Sequence, residues 1–186
     1  AGDILGEQQS GNINAVGYEL YLELLEETLK DLKGEPSLPE VDPEINLKIP
    51  ALIPHQYISD LRIRLAYYKA LSEIECSDDL DRIEDELRDQ FGKPPEPVIN
   101  LMGVMLIRKE CKHLAVRDLS AGKKSISLTF TAQTPVKIER VVELTTRANQ
   151  KYSVTPDFRL NVRMREITWP RVLEELTELK KTLLEL

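Results

Sequence analysis

The chain has 186 residues, enough for one sizeable domain with a small appendage, and its 41% hydrophobic and 31% charged content is that of a globular protein. A formal net charge of −7 argues against a free-standing duplex-DNA binder, which needs a basic face to displace counterions from phosphates. It favours an acidic face that meets a basic protein, and with no apolar run of about 18 residues and no signal peptide a cytoplasmic protein without a membrane span is expected.

AGDILGEQQSG opens the chain without an initiator Met, which predicts a piece excised from a longer protein, and it reads as a glycine-punctuated loop over 1–11. From Asn12 the residues Ile13, Val16, Leu20, Leu24 and Leu25 recur at helical steps, predicting a helix to about Lys33 that Gly34 stops. GEPSLPEVDPE carries Pro36, Pro39 and Pro43. Each lacks an N–H and pushes its predecessor toward extended geometry, so a linker is predicted over 34–44 and a domain over 45–186. INLKIP alternates Ile45, Leu47 and Ile49 with polar residues, a strand ended by Pro50.

Between Ile58 and Ile74 the apolar residues Leu61, Leu65, Tyr68 and Leu71 fall at three- and four-residue steps, the mark of a helix. Ser77 is the expected N-cap of the next one, with Asp78 and Asp79 placed favourably against its dipole. Leu80, Ile83, Leu87 and Phe91 form its inner stripe, and Gly92 with Pro94 stops it. Pro95 opens a third helix with Val98, Leu101, Met102, Met105 and Cys111 inside. The period then drops to two. Val116–Leu119 and Ser125–Thr131, with Ile126, Leu128 and Phe130, read as strands around the turn-forming AGKK. Thr134 and Pro135 are expected to cap and start a helix that buries Ile138, Val141, Val142 and Ala148. Tyr152–Val154 and Leu160–Met164 suggest a hairpin across Pro156 and Asp157. Thr168 opens a final helix using Trp169, Val172, Leu173, Leu176, Leu179 and Leu183. Helices and strands segregate instead of alternating strictly. The predicted class is α+β: helices packed with a small, mostly antiparallel sheet, plus the appended N-terminal helix.

Reactive groups are sparse. There is no GxxxxGK[ST] to cradle phosphate and no GxSxG elbow, and two histidines do not make a nucleophile–base pair. Cys76 and Cys111 read as reduced thiols, and neither His55 nor His113 stands at metal-ligand spacing with them. EDELRD superficially matches a helicase acidic box, but Ile83, Leu87 and Phe91 impose a helical period where such a box follows a buried strand. Met102, Met105, Tyr67, Tyr68 and Trp169 are expected to be packing residues. Catalysis by this chain is not expected, nor a cofactor or metal. What remains is surface. Opposite Leu80, Ile83 and Leu87 the second helix presents Asp78, Asp85, Glu86 and Asp89, whose like charges at three- and four-residue steps repel by roughly a few tenths of a kcal/mol per pair. Arg82 and Arg88 relieve part of this. The face is either a solvated acidic surface or a docking ridge for a basic partner. A second surface, Lys123, Lys124, Lys137, Arg140 and Arg147, offers the alternative of a nucleic-acid-contacting accessory domain.

The segment GDILGEQQSGNINAVGYELYLELLEE resembles the stretch that follows the last helicase motif in bacterial transcription-repair coupling factors, the Mfd family. The resemblance continues through INLKIPALIPHQYISDLRIRLAYYKAL and ELRDQFGKPPEPVINLM, and more loosely to the end; a shorter version of the opening occurs in the RecG helicase. It implies that residues 1–33 are the tail of a translocation motif and a connecting helix, with Gly2, Gly6, Gln9 and Gly11 at the motif's positions. The motif's upstream arginines are missing. ATP and Mg would belong to the motor of the parent protein, a DNA translocase that removes stalled RNA polymerase from duplex DNA. The remainder resembles the family's C-terminal regulatory domain, which packs on a UvrB-like module of the same chain and masks its UvrA-binding surface. Family members place acidic residues just before the Phe-Gly that ends the second domain helix. Here these are Glu86 and Asp89, with Asp85 beside them, and the resemblance implies that the three contact the partner module.

Overall fold

The computed structural model describes residues 42–184, so the loop with Gly2, Gly6, Gln9 and Gly11, the helix over 12–33 and most of the linker lie outside the described residues. Within them run β1 (Glu44–Asn46), α1 (Leu61–Ser72), α2 (Ser77–Phe91), α3 (Glu96–His113), β2 (Val116–Ala121), β3 (Ser125–Phe130), α4 (Ile138–Arg147), β4 (Tyr152–Val154), β5 (Arg159–Arg163) and α5 (Trp169–Leu184). These divide into two compact units: residues 49–105 make one, and residues 42–48 with 106–184 make the other. Helix α3 runs through the division.

The first unit is a helical cluster over an ordered entry segment. Tyr68 is buried, and its hydroxyl accepts the Ile53 N–H at 2.8 Å. Asn100 donates to the Pro50 carbonyl at 3.0 Å and Leu52 N–H to that of Pro97 at 3.2 Å. Arg64 is 2% exposed and donates to the carbonyls of Ile58 and Ser59, so a non-helical segment gains partners for its backbone. That segment is why the predicted helix from Ile58 begins only at Leu61. Asp60 caps it instead, accepting from the N–H groups of Arg62 and Ile63. Ile53, Ile58, Leu71, Leu87, Leu101 and Met105 fill the interior.

The second unit holds a five-stranded sheet in the order β1-β2-β3-β5-β4. β1 runs parallel to β2, and the other three pairings are antiparallel. The fold is α+β, as the segregation of periods predicts. The strand read from INLKIP is shorter than its alternation suggests and ends at Asn46. Lys48 takes a left-handed backbone (φ 59°), although Leu47 still buries itself. Ile126 and Leu128 of β3 and Leu160 and Val162 of β5 face the core with Val172, Leu176 and Leu179 of α5. Polar ties hold α5 in place: Lys180 meets Glu110 of α3 at 2.7 Å, and Tyr152 of β4 donates to Glu175 at 2.5 Å.

Helix α4 departs from expectation. Ile138 and Val142, placed inside by the sequence reading, are 59% and 54% exposed, while Val141 and Leu144 are buried. Two apolar stripes compete on this short helix, and only the one carrying Leu144 faces the core. Thr134 does not cap it either. Its hydroxyl donates to Leu114 O at 2.7 Å and accepts from Val136 N, and the helix begins after Lys137 without a side-chain cap.

Candidate docking surface

Helix α2 is the element that carries the acidic ridge, and its own residues fix which way the ridge faces. Leu87 is 0% exposed and Leu80 is buried, which sets one side of the helix inward. Asp85 and Asp89 are one turn apart on the opposite side, with Glu86 beside them, and all three are exposed. The helix starts at Ser77 with Cys76 in the N-cap position, not at Ser77 as the cap. Capping is done from the third helical residue: the Asp79 carboxylate accepts the N–H groups of Glu75 (2.9 Å) and Cys76 (3.3 Å) and pairs with Arg82. The Glu75 N–H bond, more than the Arg82 charge, holds the Asp79 carboxyl below the usual carboxylate range.

At the far end Gly92 closes the helix with φ 83°, a left-handed conformation that suits glycine, and its N–H bonds to Arg88 O. The Tyr57 hydroxyl donates at the same end, 2.8 Å from Gly92 O just past the helix and 3.1 Å from Leu87 O in its last turn. Tyr57 and Tyr67 both meet the Phe91 ring edge-on, at centroid distances of 5.8 and 6.2 Å. Burial, and after it the Glu86 carboxylate, raises the Tyr67 hydroxyl above its ordinary value. The ridge therefore stands on a stiff base, capped at both ends and footed on aromatic rings.

Charge on α2 is unevenly neutralised. Arg82 goes to Asp79, and Arg88 to Glu84 at 2.7 Å. Both arginines are thereby turned to carboxylates other than those of the ridge. Among the described residues, no cation lies within 4.0 Å of the carboxylates of Asp85, Glu86 or Asp89.

The sequence-predicted basic residues all fall in the other unit. Lys123 and Lys124 form the β2–β3 turn, while Lys137, Arg140 and Arg147 are spread from the start to the last turn of α4. Cys76 is exposed and Cys111 buried, both free; burial pushes the Cys111 thiol up to about 12, so it stays protonated and packs as a small apolar group. Among the described residues no three His, Cys, Asp or Glu side chains converge on a metal-sized site, and no helix is long and apolar enough to cross a membrane.

A model of the TRCF domain family matches residues 47–141, just over half of the chain and all of α2. The chain belongs to the TRCF domain family. Relatives include the transcription-repair-coupling factor of Myxococcus xanthus, 34% identical over 163 residues, which cover 88% of this chain and 14% of the relative. That of Escherichia coli strain K12 is 32% identical over 190 residues, covering 96% of this chain and 17% of the relative. The chain thus spans about one sixth of the length of these curated relatives. Among solved structures, the crystal structure of the C-terminal domain of a transcription-repair coupling factor superposes with a TM-score of 0.62 at 23% identity, over 77% of this chain and 92% of that one. The TRCF domain here has that α+β fold.

Proposed function

We propose that this TRCF domain is a non-catalytic regulatory piece of a transcription-repair coupling factor. Its α2 ridge docks on a basic face of the UvrB-like module of the same protein and covers the surface that UvrA would bind. One observation carries the reading. Asp85, Glu86 and Asp89 are exposed on a capped helix, and no cation lies within 4.0 Å of them among the described residues. Three like charges on adjacent turns repel one another in the free domain, and a cationic surface relieves that repulsion on docking. The chemistry expected of the parent protein, ATP- and Mg-driven translocation on duplex DNA and removal of stalled RNA polymerase in the cytoplasm, lies with other parts of that protein. This chain contributes no bond-making.

The energy required is small. Holding the mask closed about 99% of the time takes about 2.7 kcal/mol, which a polar interface reaches when the intact chain keeps both surfaces at high effective concentration. Glu86→Ala together with Asp89→Ala in the full-length protein is expected to raise UvrA affinity about tenfold while leaving thermal unfolding of the domain unchanged. An affinity for UvrA equal to that of the parent protein rules out the ridge as the mask.

A further inference from the structure

Charge is divided sharply along the chain. Residues 106–186 contain sixteen Lys and Arg against ten Asp and Glu, a net charge of +6 inside a protein of net −7. Part of that excess gathers at one end of the sheet, where the strand register does the assembling. Ser125 of β3 pairs with Arg163 of β5, and the Met164 N–H donates to Lys124 O at 2.8 Å. On the other side of β5 the Arg163 N–H donates to Lys151 O, also at 2.8 Å. Arg163 at the end of β5 is therefore flanked by Ser125 on one side and Lys151 on the other, while Lys124 in the β2–β3 turn stands one residue before Ser125, so the three cations gather at the same end of the sheet.

The three cations line one open depression of about 730 Å³. Asn149, Gln150, Asn161, Ser125, Ser153 and Tyr152 complete its lining. Lys151 is tied to Glu175 at 2.7 Å, but Lys124 and Arg163 have no carboxylate within 4.0 Å among the described residues, and neither do Lys123 beside them or Arg165 in the adjoining hollow. Arg147 adds to the field, standing close enough for its charge to act on the Tyr152 hydroxyl. Glu166, Glu174 and Glu178 line that adjoining hollow and mark where the basic surface stops.

We propose that this depression binds the sugar-phosphate backbone of duplex nucleic acid. Apart from Tyr152, the lining consists of residue types that contact phosphate and sugar oxygens, namely Lys, Arg, Asn, Gln and Ser. The one aromatic residue in the lining, Tyr152, offers a base little open face. Tyr152 is buried, with its hydroxyl on Glu175 and Lys151 5.2 Å from its ring centroid. Single-strand sites rely on open aromatic faces for stacking, so a ring this covered favours a duplex. This site is in a different unit from the α2 ridge, and it stands or falls independently of the masking role.

The test is fluorescence anisotropy of a labelled 20-base-pair duplex with the 186-residue chain, repeated across a salt series. Neutralisation of about three phosphates gives a log–log salt slope of about −3. Lys124→Gln with Arg163→Gln, both at exposed positions, is expected to weaken binding at least tenfold at low salt and to flatten the slope by about 2. Lys112→Gln with Lys181→Gln removes the same charge from exposed positions outside the depression and should change affinity less than twofold. The proposal is overturned by no binding at low salt, by equal losses in the two double variants, or by a decaglutamate peptide that displaces the duplex at comparable concentration.

Discussion

Tyr152 shows how much a single side chain settles in this fold. It sits where β4 meets α5, donating to Glu175 while Lys151 holds the other carboxylate oxygen at 2.7 Å. Burial first, and then the Glu175 hydrogen bond, raises its hydroxyl well above the ordinary tyrosine value. Tyr57, Tyr67 and Tyr68 are raised as well, each chiefly by burial. A folded-state value above the unfolded one means that stability is present below about pH 10, where unfolded tyrosine is still neutral, and is lost as pH climbs beyond it. The TRCF domain should therefore lose melting temperature steeply above pH 10, and Tyr152→Phe should make that loss shallower. The same substitution leaves a buried carboxylate short of a donor and should cost about 1–3 kcal/mol at neutral pH by chemical denaturation. Leu87→Ala, which empties a fully buried site beneath the acidic ridge, should cost about 2–5 kcal/mol in the same measurement. The burial of Leu87 was legible from its place in a period-3.6 stripe. The Tyr152–Glu175 pair was not, because 23 residues separate the partners and neither carries a local signal of the other.

Among the elements, α2 was the most legible and α4 the least. On α2 the inner stripe, the glycine stop and the outward carboxylates all agree, and one face remains for the acids. Its beginning shifted by one residue because Asp79, not Ser77, supplies the cap. That assignment has a pH signature. A carboxyl held below its unfolded value stabilises the helix above about pH 4, and the contribution disappears as pH falls through the lower folded value. Asp79→Asn should lower the melting temperature at neutral pH and erase the difference from the parent domain at pH 2, as followed by circular dichroism. On α4 the apolar residues Ile138, Val141, Val142 and Leu144 fit two overlapping stripes, and only tertiary packing chooses between them. The basic depression was illegible for a different reason. Lys124 and Lys151 immediately precede β3 and β4 while Arg163 ends β5, and it is the β3–β5–β4 register that brings them to one end of the sheet. The sequence groups Lys124 with Lys123, Lys137, Arg140 and Arg147, and the last three cap or lie on α4.

For the molecule as a whole, the family was legible from short quoted stretches that resemble transcription-repair coupling factors, and the match over residues 47–141 agrees with them. The two compact units were not, because β1 joins a sheet whose other strands all lie 70 or more positions later. The units also differ in charge, with an acidic ridge on the first and a basic depression on the second. Masking by the ridge is open to titration calorimetry, with the 186-residue chain added to the isolated UvrB-like module at low and moderate salt. Saturable binding that weakens with salt, and that drops at least tenfold with Glu86→Ala and Asp89→Ala, is the predicted result. Binding of undiminished strength by that double variant, or no binding by the parent chain at low salt, would contradict it.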